Sequence, residues 1–173
     1  VTLRDSLSDS VRLNATAGLG RIVGEYPSIA VDIVDDVATL FDAENPKLRN
    51  NAIALICDVA LIHTDVIEPY TEEIAGLLTV EDTYTRINAS GALSRVAEDF
   101  PESVEHVTPT FVELLSDENP LVRENACWAL GYLCARDATS TLEDRAHGDD
   151  NADVRTRASW ALAQINNGDQ RDD

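Results

Sequence analysis

Methionine is absent from this sequence, lysine occurs once (Lys47), and aromatic residues fill only 5% of its 173 positions. Hydrophobic residues still reach 44%, with Ala, Val and Leu dominant, so a core is available, and a small-residue core suits closely packed helices. No apolar run approaches the ~20 residues that a membrane-spanning helix needs. Residues 1–10 are polar and mixed, unlike a secretory signal; a soluble, cytoplasmic protein is expected. The three cysteines, Cys57, Cys127 and Cys134, are odd in number and form no CxxC pair, which excludes a disulfide framework and a zinc site. Cys127 and Cys134 are expected two turns apart on one helix, ~10 Å along its axis and beyond disulfide reach. All three are expected as small buried hydrophobes. His63, His106 and His147 are scattered, and HExxH, glycine-rich phosphate loops and GxSxG are missing. An enzyme is therefore not expected, and no cofactor or metal either; the acidic runs VDDV, EDF and GDD read as hydrated surface.

Charge of one sign is the excess. Asp and Glu number 32 against 13 basic residues, a net charge of -19, and twelve of those bases are Arg. Such a charge repels itself and opposes compaction. In molar salt the Debye length falls to ~3 Å and the repulsion is screened. An acidic, lysine-poor chain with a small-residue core is what a salt-rich, halophilic cytoplasm selects, and on that reading the acidity says little about a partner.

Internal repetition carries the fold. Arg12, Arg49, Arg86 and Arg123 are spaced 37 residues apart, and Arg155 follows after 32. The text around them recurs as VRLNATAGL, LRNNAIALI, TRINASGAL, VRENACWAL and VRTRASWAL. Three residues after each Arg stands Ala15, Ala52, Ala89, Ala126 or Ala158. Seven after stands Leu19, Ile56, Leu93, Leu130 or Leu162; ten after, Ile22, Val59, Val96, Leu133 or Ile165. Offsets of 3, 7 and 10 share one helical face, so each repeat has an amphipathic second helix. A first helix is predicted to start near Pro27, Thr64 and Pro101 and to end at Phe41, Leu78 or Leu115. The turns 42–46, 79–83 and 116–120 follow, each with an Asn or Asp placed as an N-cap, and Pro46 and Pro120 suit the first helical position.

One helix pair cannot bury both its faces, so pairs stack in series. The expected fold is all-α, a right-handed α-α superhelix of about five helical hairpins in one domain over 1–166: a partial repeat 1–26, repeats 27–63, 64–100 and 101–137, a short repeat 138–166, then an acidic flexible tail 167–173. Residues 1–4 align with the end of a first helix, so the chain is expected to be a fragment or to have an upstream segment completing repeat 1.

The pattern D-x-N-P-x-V-R-x-x-A-x-x-A-L, from Asp117 to Leu130, is similar to the HEAT repeat; the last repeat resembles the short phycobilin-lyase type, and ACWALGYL resembles the armadillo repeat. The resemblance implies an α-solenoid and is nearly silent on activity. It implies that the Arg column meets an acidic residue in a turn, often of an adjacent repeat. Asp117 and Asp149, six residues before Arg123 and Arg155, fit; Ser6, Ala43 and Val80 do not. HEAT-like metal-dependent hydroxylases carry a His-Glu dipeptide that is missing here, and a bilin-lyase-like activity rests on fold analogy alone.

Two columns are candidates for function. Two after the Arg come Asn14, Asn51, Asn88, Asn125 and Arg157, readable as a structural amide ladder or as donors and acceptors facing a ligand. Asparagines that hold peptide backbones in armadillo-like proteins sit later in the repeat, where this chain has Arg21, Asp58, Arg95 and Tyr132. Five after the Arg come Ala17, Ala54, Gly91, Trp128 and Trp160. Offsets 2, 5 and 9 form one stripe, and the resemblance implies that second helices line a concave face. Trp128, Tyr132 and Trp160 fall on that stripe, readable as a cap on the C-terminal end of the core or as a binding site, since Trp and Tyr are favoured binding anchors. Another protein or peptide is the expected partner of a non-catalytic scaffold or adaptor. Nucleic acid is the alternative, through Arg21, Arg95, Arg123 and Arg157, disfavoured because phosphate binding needs many cations.

Overall fold

A computed structural model describes residues 9–25 and 29–169. The expectations for residues 1–8, Pro27 and the last four residues of the tail lie outside them. The described residues are helical, with no strand among them. Second helices are α1 (Asp9–Glu25), α3 (Pro46–Ala60), α6 (Thr83–Asp99), α9 (Pro120–Tyr132) and α11 (Ala152–Asp169). First helices are α2 (Ala30–Ala38), the pair α4 (Thr64–Ile67) and α5 (Thr71–Ala75), the pair α7 (Pro101–Val104) and α8 (Thr108–Leu114), and α10 (Thr139–Gly148). The helix α11 runs to Asp169, so residues 167–169, expected in the tail, are helical.

The starts are chemically explained. Asn45, Asn119 and Asn151 accept the N–H groups of Lys47, Leu121 and Asp153 at 3.1, 2.9 and 2.8 Å, and Asp82 accepts that of Thr85 at 2.8 Å. Each satisfies a backbone donor that a helix start leaves open. The first helices differ from expectation: two are broken by 3-10 turns, Glu68–Tyr70 and Glu105–Val107. Pro69 lies in the first turn and Pro109 is the second residue of α8, after the second turn. Proline lacks the donor and collides with the carbonyl four residues back, which splits each element in two.

The chain separates into two compact units, residues 1–92 and 93–173. In the first, α1 packs on α3, and α2 on α3 and α4; Leu48, Ile53, Ile56, Ile67, Ile74 and Leu78 are fully buried. In the second, α9 packs on α8 and α11, and α10 on α11, around Leu93, Phe111, Leu115, Leu130 and Leu142. The alanine column is buried at Ala52, Ala89, Ala126 and Ala158. The +10 column is buried at Val59, Val96 and Ile165, but Ile22 is 43% exposed.

Two expectations about cysteine need correction. Cys127 is buried, but Cys57 is half-buried and Cys134 exposed. Cys134 is not inside a helix: α9 ends at Tyr132, and Cys134 has φ 48, the left-handed region. Its N–H bonds the Gly131 carbonyl and that of Ala135 the Leu130 carbonyl, the paired bonds of a Schellman stop.

The arginine column acts on carbonyls first. The Nη1 of Arg49 donates to Ala43 O at 3.1 Å, of Arg86 to Val80 O at 3.0 Å, of Arg123 to Asp117 O at 2.9 Å, and of Arg155 to Asp149 O at 2.7 Å. The residue six before the Arg is therefore used through its backbone carbonyl, which any residue supplies, and Ala43 and Val80 serve as well as an acid. The acid contact comes from the neighbouring repeat: Arg123 Nε and Nη2 hold Asp149 at 2.8 and 2.7 Å. Asp149 also accepts the Asn151 N–H at 3.0 Å, so one carboxylate joins two repeats and a turn.

Candidate functional site

The stripe at offsets 2, 5 and 9 is polar and small in the first unit. Asn14 and Ala17 are exposed, and Asn51, Ala54 and Asn88 half-buried. Asn51 Nδ2 donates to the Leu13 carbonyl of α1 at 3.4 Å, a bond between repeats. A shallow hollow of about 320 Å³ lies between α1 and α3, lined by Ala17, Gly20, Asn51, Ala54 and Asp58. Burial raises the Asp58 carboxyl above its ordinary range. Arg21 lies on α1, but its side chain is outside the described set.

In the second unit the same register becomes aromatic. Trp128 and Tyr132 are four apart on α9, one turn along the same face, and Trp160 faces them from α11. The close approach depends on Gly131: a Cβ there would lie 2.4 Å from Trp160 Cζ3 and 3.0 Å from Ala161 Cα. The Trp128 and Tyr132 rings are stacked, centroids 5.5 Å apart and planes 9° from parallel. Trp160 meets both edge-on, at 4.6 Å from Trp128 and 5.0 Å from Tyr132. These are favoured aromatic geometries. All three rings are half-buried, so packing fixes them while part of each surface stays open to a partner.

Charged groups surround the rings. The Arg157 guanidinium lies 3.3 Å from the Trp128 centroid and 5.7 Å from that of Trp160, within cation–π range. Its Nη2 is 3.8 Å from Glu124 Oε1, and its Nε is buried with no acceptor. Burial, the hydrogen bond to Glu98 and the charge of Glu98 push the Tyr132 phenol up to about 12, against the lowering effect of Arg95 and Arg157. Tyr132 thus stays a neutral donor at any physiological pH.

Of the candidate residues, the structure brings Trp128, Tyr132, Trp160 and Arg157 into contact, with Arg95 close enough to act on Tyr132 electrostatically. Asn125 lies half-buried on α9. Asn14, Asn51 and Asn88 belong to the other unit. Glu98, Glu124 and Gly131 were not singled out by the sequence. Glu98 lies three residues after Arg95, a helical neighbour spacing, but acids are too common here for that to stand out. Burial pushes the Cys127 thiol up to about 12, reinforced by Asp149 and Glu124, so it is no nucleophile at neutral pH. No helix among the described residues is long and apolar enough to cross a membrane.

Comparison with known proteins agrees with this architecture. An engineered protein of known crystal structure is 21% identical, with TM-score 0.86 over 96% of this chain and 77% of its own. A computationally designed armadillo repeat protein for modular peptide recognition is 22% identical, with TM-score 0.81 over 95% of this chain and 79% of its own. A designed armadillo repeat protein in complex with the peptide (KR)4 is 17% identical, with TM-score 0.76 over 94% and 79%. These likenesses establish the fold, an α-solenoid of armadillo and HEAT type. A search of curated proteins returned no match. The family profile described as HEAT repeats matches residues 74–163, more than half of the chain, and the protein therefore belongs to the HEAT-repeat family.

Proposed function

We propose that this protein is a non-catalytic scaffold that binds another protein or a peptide along the exposed stripe of its second helices, anchored at Trp128, Tyr132 and Trp160. The supporting observation is the cluster itself. The only two tryptophans of the chain share one half-exposed site with a tyrosine and an arginine, and burying an exposed Trp or Tyr in a partner is a common source of binding energy. The designed armadillo proteins named above recognise peptides on the same fold, one of them the basic peptide (KR)4. Arg95 and the Asn row at 14, 51, 88 and 125 are polar contacts in this reading. We also propose a cytoplasm rich in salt as the setting. There ionic contacts are screened and apolar ones retained, which puts more weight on the rings than on the acids.

The test is capture of partners by the tagged protein from its own cell in about 1 M salt, where the Debye length is ~3 Å, beside Trp128→Ala/Trp160→Ala. The reading expects a protein held by the native chain and lost by the folded double variant. The same proteins on both chains, or recovery of nucleic acid or a chromophore alone, would overturn it.

A further inference from the structure

The aromatic cluster already contains a ligand-like group. Arg157 extends from α11 so that its guanidinium lies 3.3 Å from the Trp128 ring centroid. It is poorly secured there. Glu124 is 3.8 Å from Nη2, longer than a hydrogen bond. Nε is buried without an acceptor, a cost to the present arrangement. Arg123, in contrast, has Nε, Nη1 and Nη2 all paired with acceptors within 3 Å. Arg157 also retains partial exposure, 24% of its side chain, so a path outward exists. If it left, Trp128 would present a free ring face beside Glu124, in a cluster where Glu98 already holds the Tyr132 hydroxyl. A planar cation would find a π surface and a carboxylate able to take two of its N–H groups.

We infer that Arg157 is an internal competitor. Its guanidinium occupies the Trp128 ring face in the free protein and is displaced by an arginine side chain of the partner, which stacks on Trp128 and pairs with Glu124. This rests on the scaffold reading and names the chemistry its anchor accepts. Like replaces like: the group already in place identifies the group the site fits, and Glu124 supplies the carboxylate beside it. Self-occupancy lowers the apparent affinity by the fraction of time the ring is covered, which disfavours weak cationic contacts.

The probe is a fluorescent octapeptide of alternating Arg and Ser, titrated in about 1 M NaCl to screen non-specific attraction, with a Lys–Ser peptide as control. Arg157→Ala is expected to tighten Arg–Ser binding about 3- to 30-fold, the factor by which a partly desolvated cation–π contact holds the ring covered. The Lys–Ser peptide should bind more weakly to both chains. Unchanged or weaker Arg–Ser binding to Arg157→Ala, with the native melting temperature retained, overturns the inference, as does equal binding of the two peptides. Trp128→Ala/Trp160→Ala separates the two claims. Should it lose the peptide while Arg157→Ala changes nothing, the competitor fails and the anchor stands; if the double variant binds as the native chain does, the anchor itself fails.

Discussion

Single residues explain why these turns hold. Arg123 and Asp149 are 7% and 5% exposed and bonded through two nitrogens, so removing the acid leaves a buried cation under-paired. Asp150 still reaches Nη2, so Asp149→Ala should cost about 3 kcal/mol, the low end for a broken buried pair, measured by urea denaturation. Burial alone would raise the Asp149 carboxyl. The hydrogen bonds from Arg123, the Asn151 N–H and the Arg123 charge outweigh it and hold the group at about 2, against an ordinary 3.8. A depressed carboxyl stabilises the fold above its unfolded value and loses that contribution as pH falls through its folded one. Native stability should therefore drop by about 2 kcal/mol between pH 4 and pH 2 through this group, and a pH series on Asp149→Ala should lack that component. Arg49 is the incomplete counterpart: its Nε is buried without an acceptor, and the position equivalent to Asp149 is Val80. Val80→Asp should raise stability by about 1 kcal/mol, read as an upward shift of the urea midpoint.

Between elements, the site depends on how closely α9 and α11 approach. Replacing a helical Gly by Ala ordinarily gains about 1 kcal/mol. At Gly131 the added methyl would meet the Trp160 ring at 2.4 Å, and overpacking costs about 1–3 kcal/mol. Gly131→Ala should therefore destabilise the protein and shift its tryptophan emission, which comes from this cluster alone. Much of this scale was legible in the sequence. The 37-residue period located four second helices and the 32-residue step to Arg155 the fifth, because a buried face must recur at helical spacing, and the Asn and Asp caps were readable because an open N–H has few partners within reach. The breaks at Pro69 and Pro109 were less visible, since apolar periodicity runs on through them. A second buried column at Thr16, Ile53, Ser90 and Cys127 was hidden by its mixed chemistry. The aromatic stripe was legible from spacing alone. The seat of Arg157 on Trp128 was not, because it depends on the approach of two helices distant in sequence.

For the whole molecule the net charge of -19 dominates. Like charges oppose compaction until salt screens them, so the melting temperature should rise between about 0.1 and 1 M NaCl as the Debye length falls from ~10 to ~3 Å; a falling melting temperature would contradict the role given to charge. Binding anchored on rings should in turn survive molar salt. The most direct test of the scaffold account is a titration of the captured partner at about 1 M salt against the native chain and Trp128→Ala/Trp160→Ala, with circular dichroism confirming the fold of both. The account predicts a shift in native tryptophan emission on binding, and a loss of at least about 30-fold in affinity for the variant, the scale of a removed hot spot. Equal affinity for a folded double variant would contradict it.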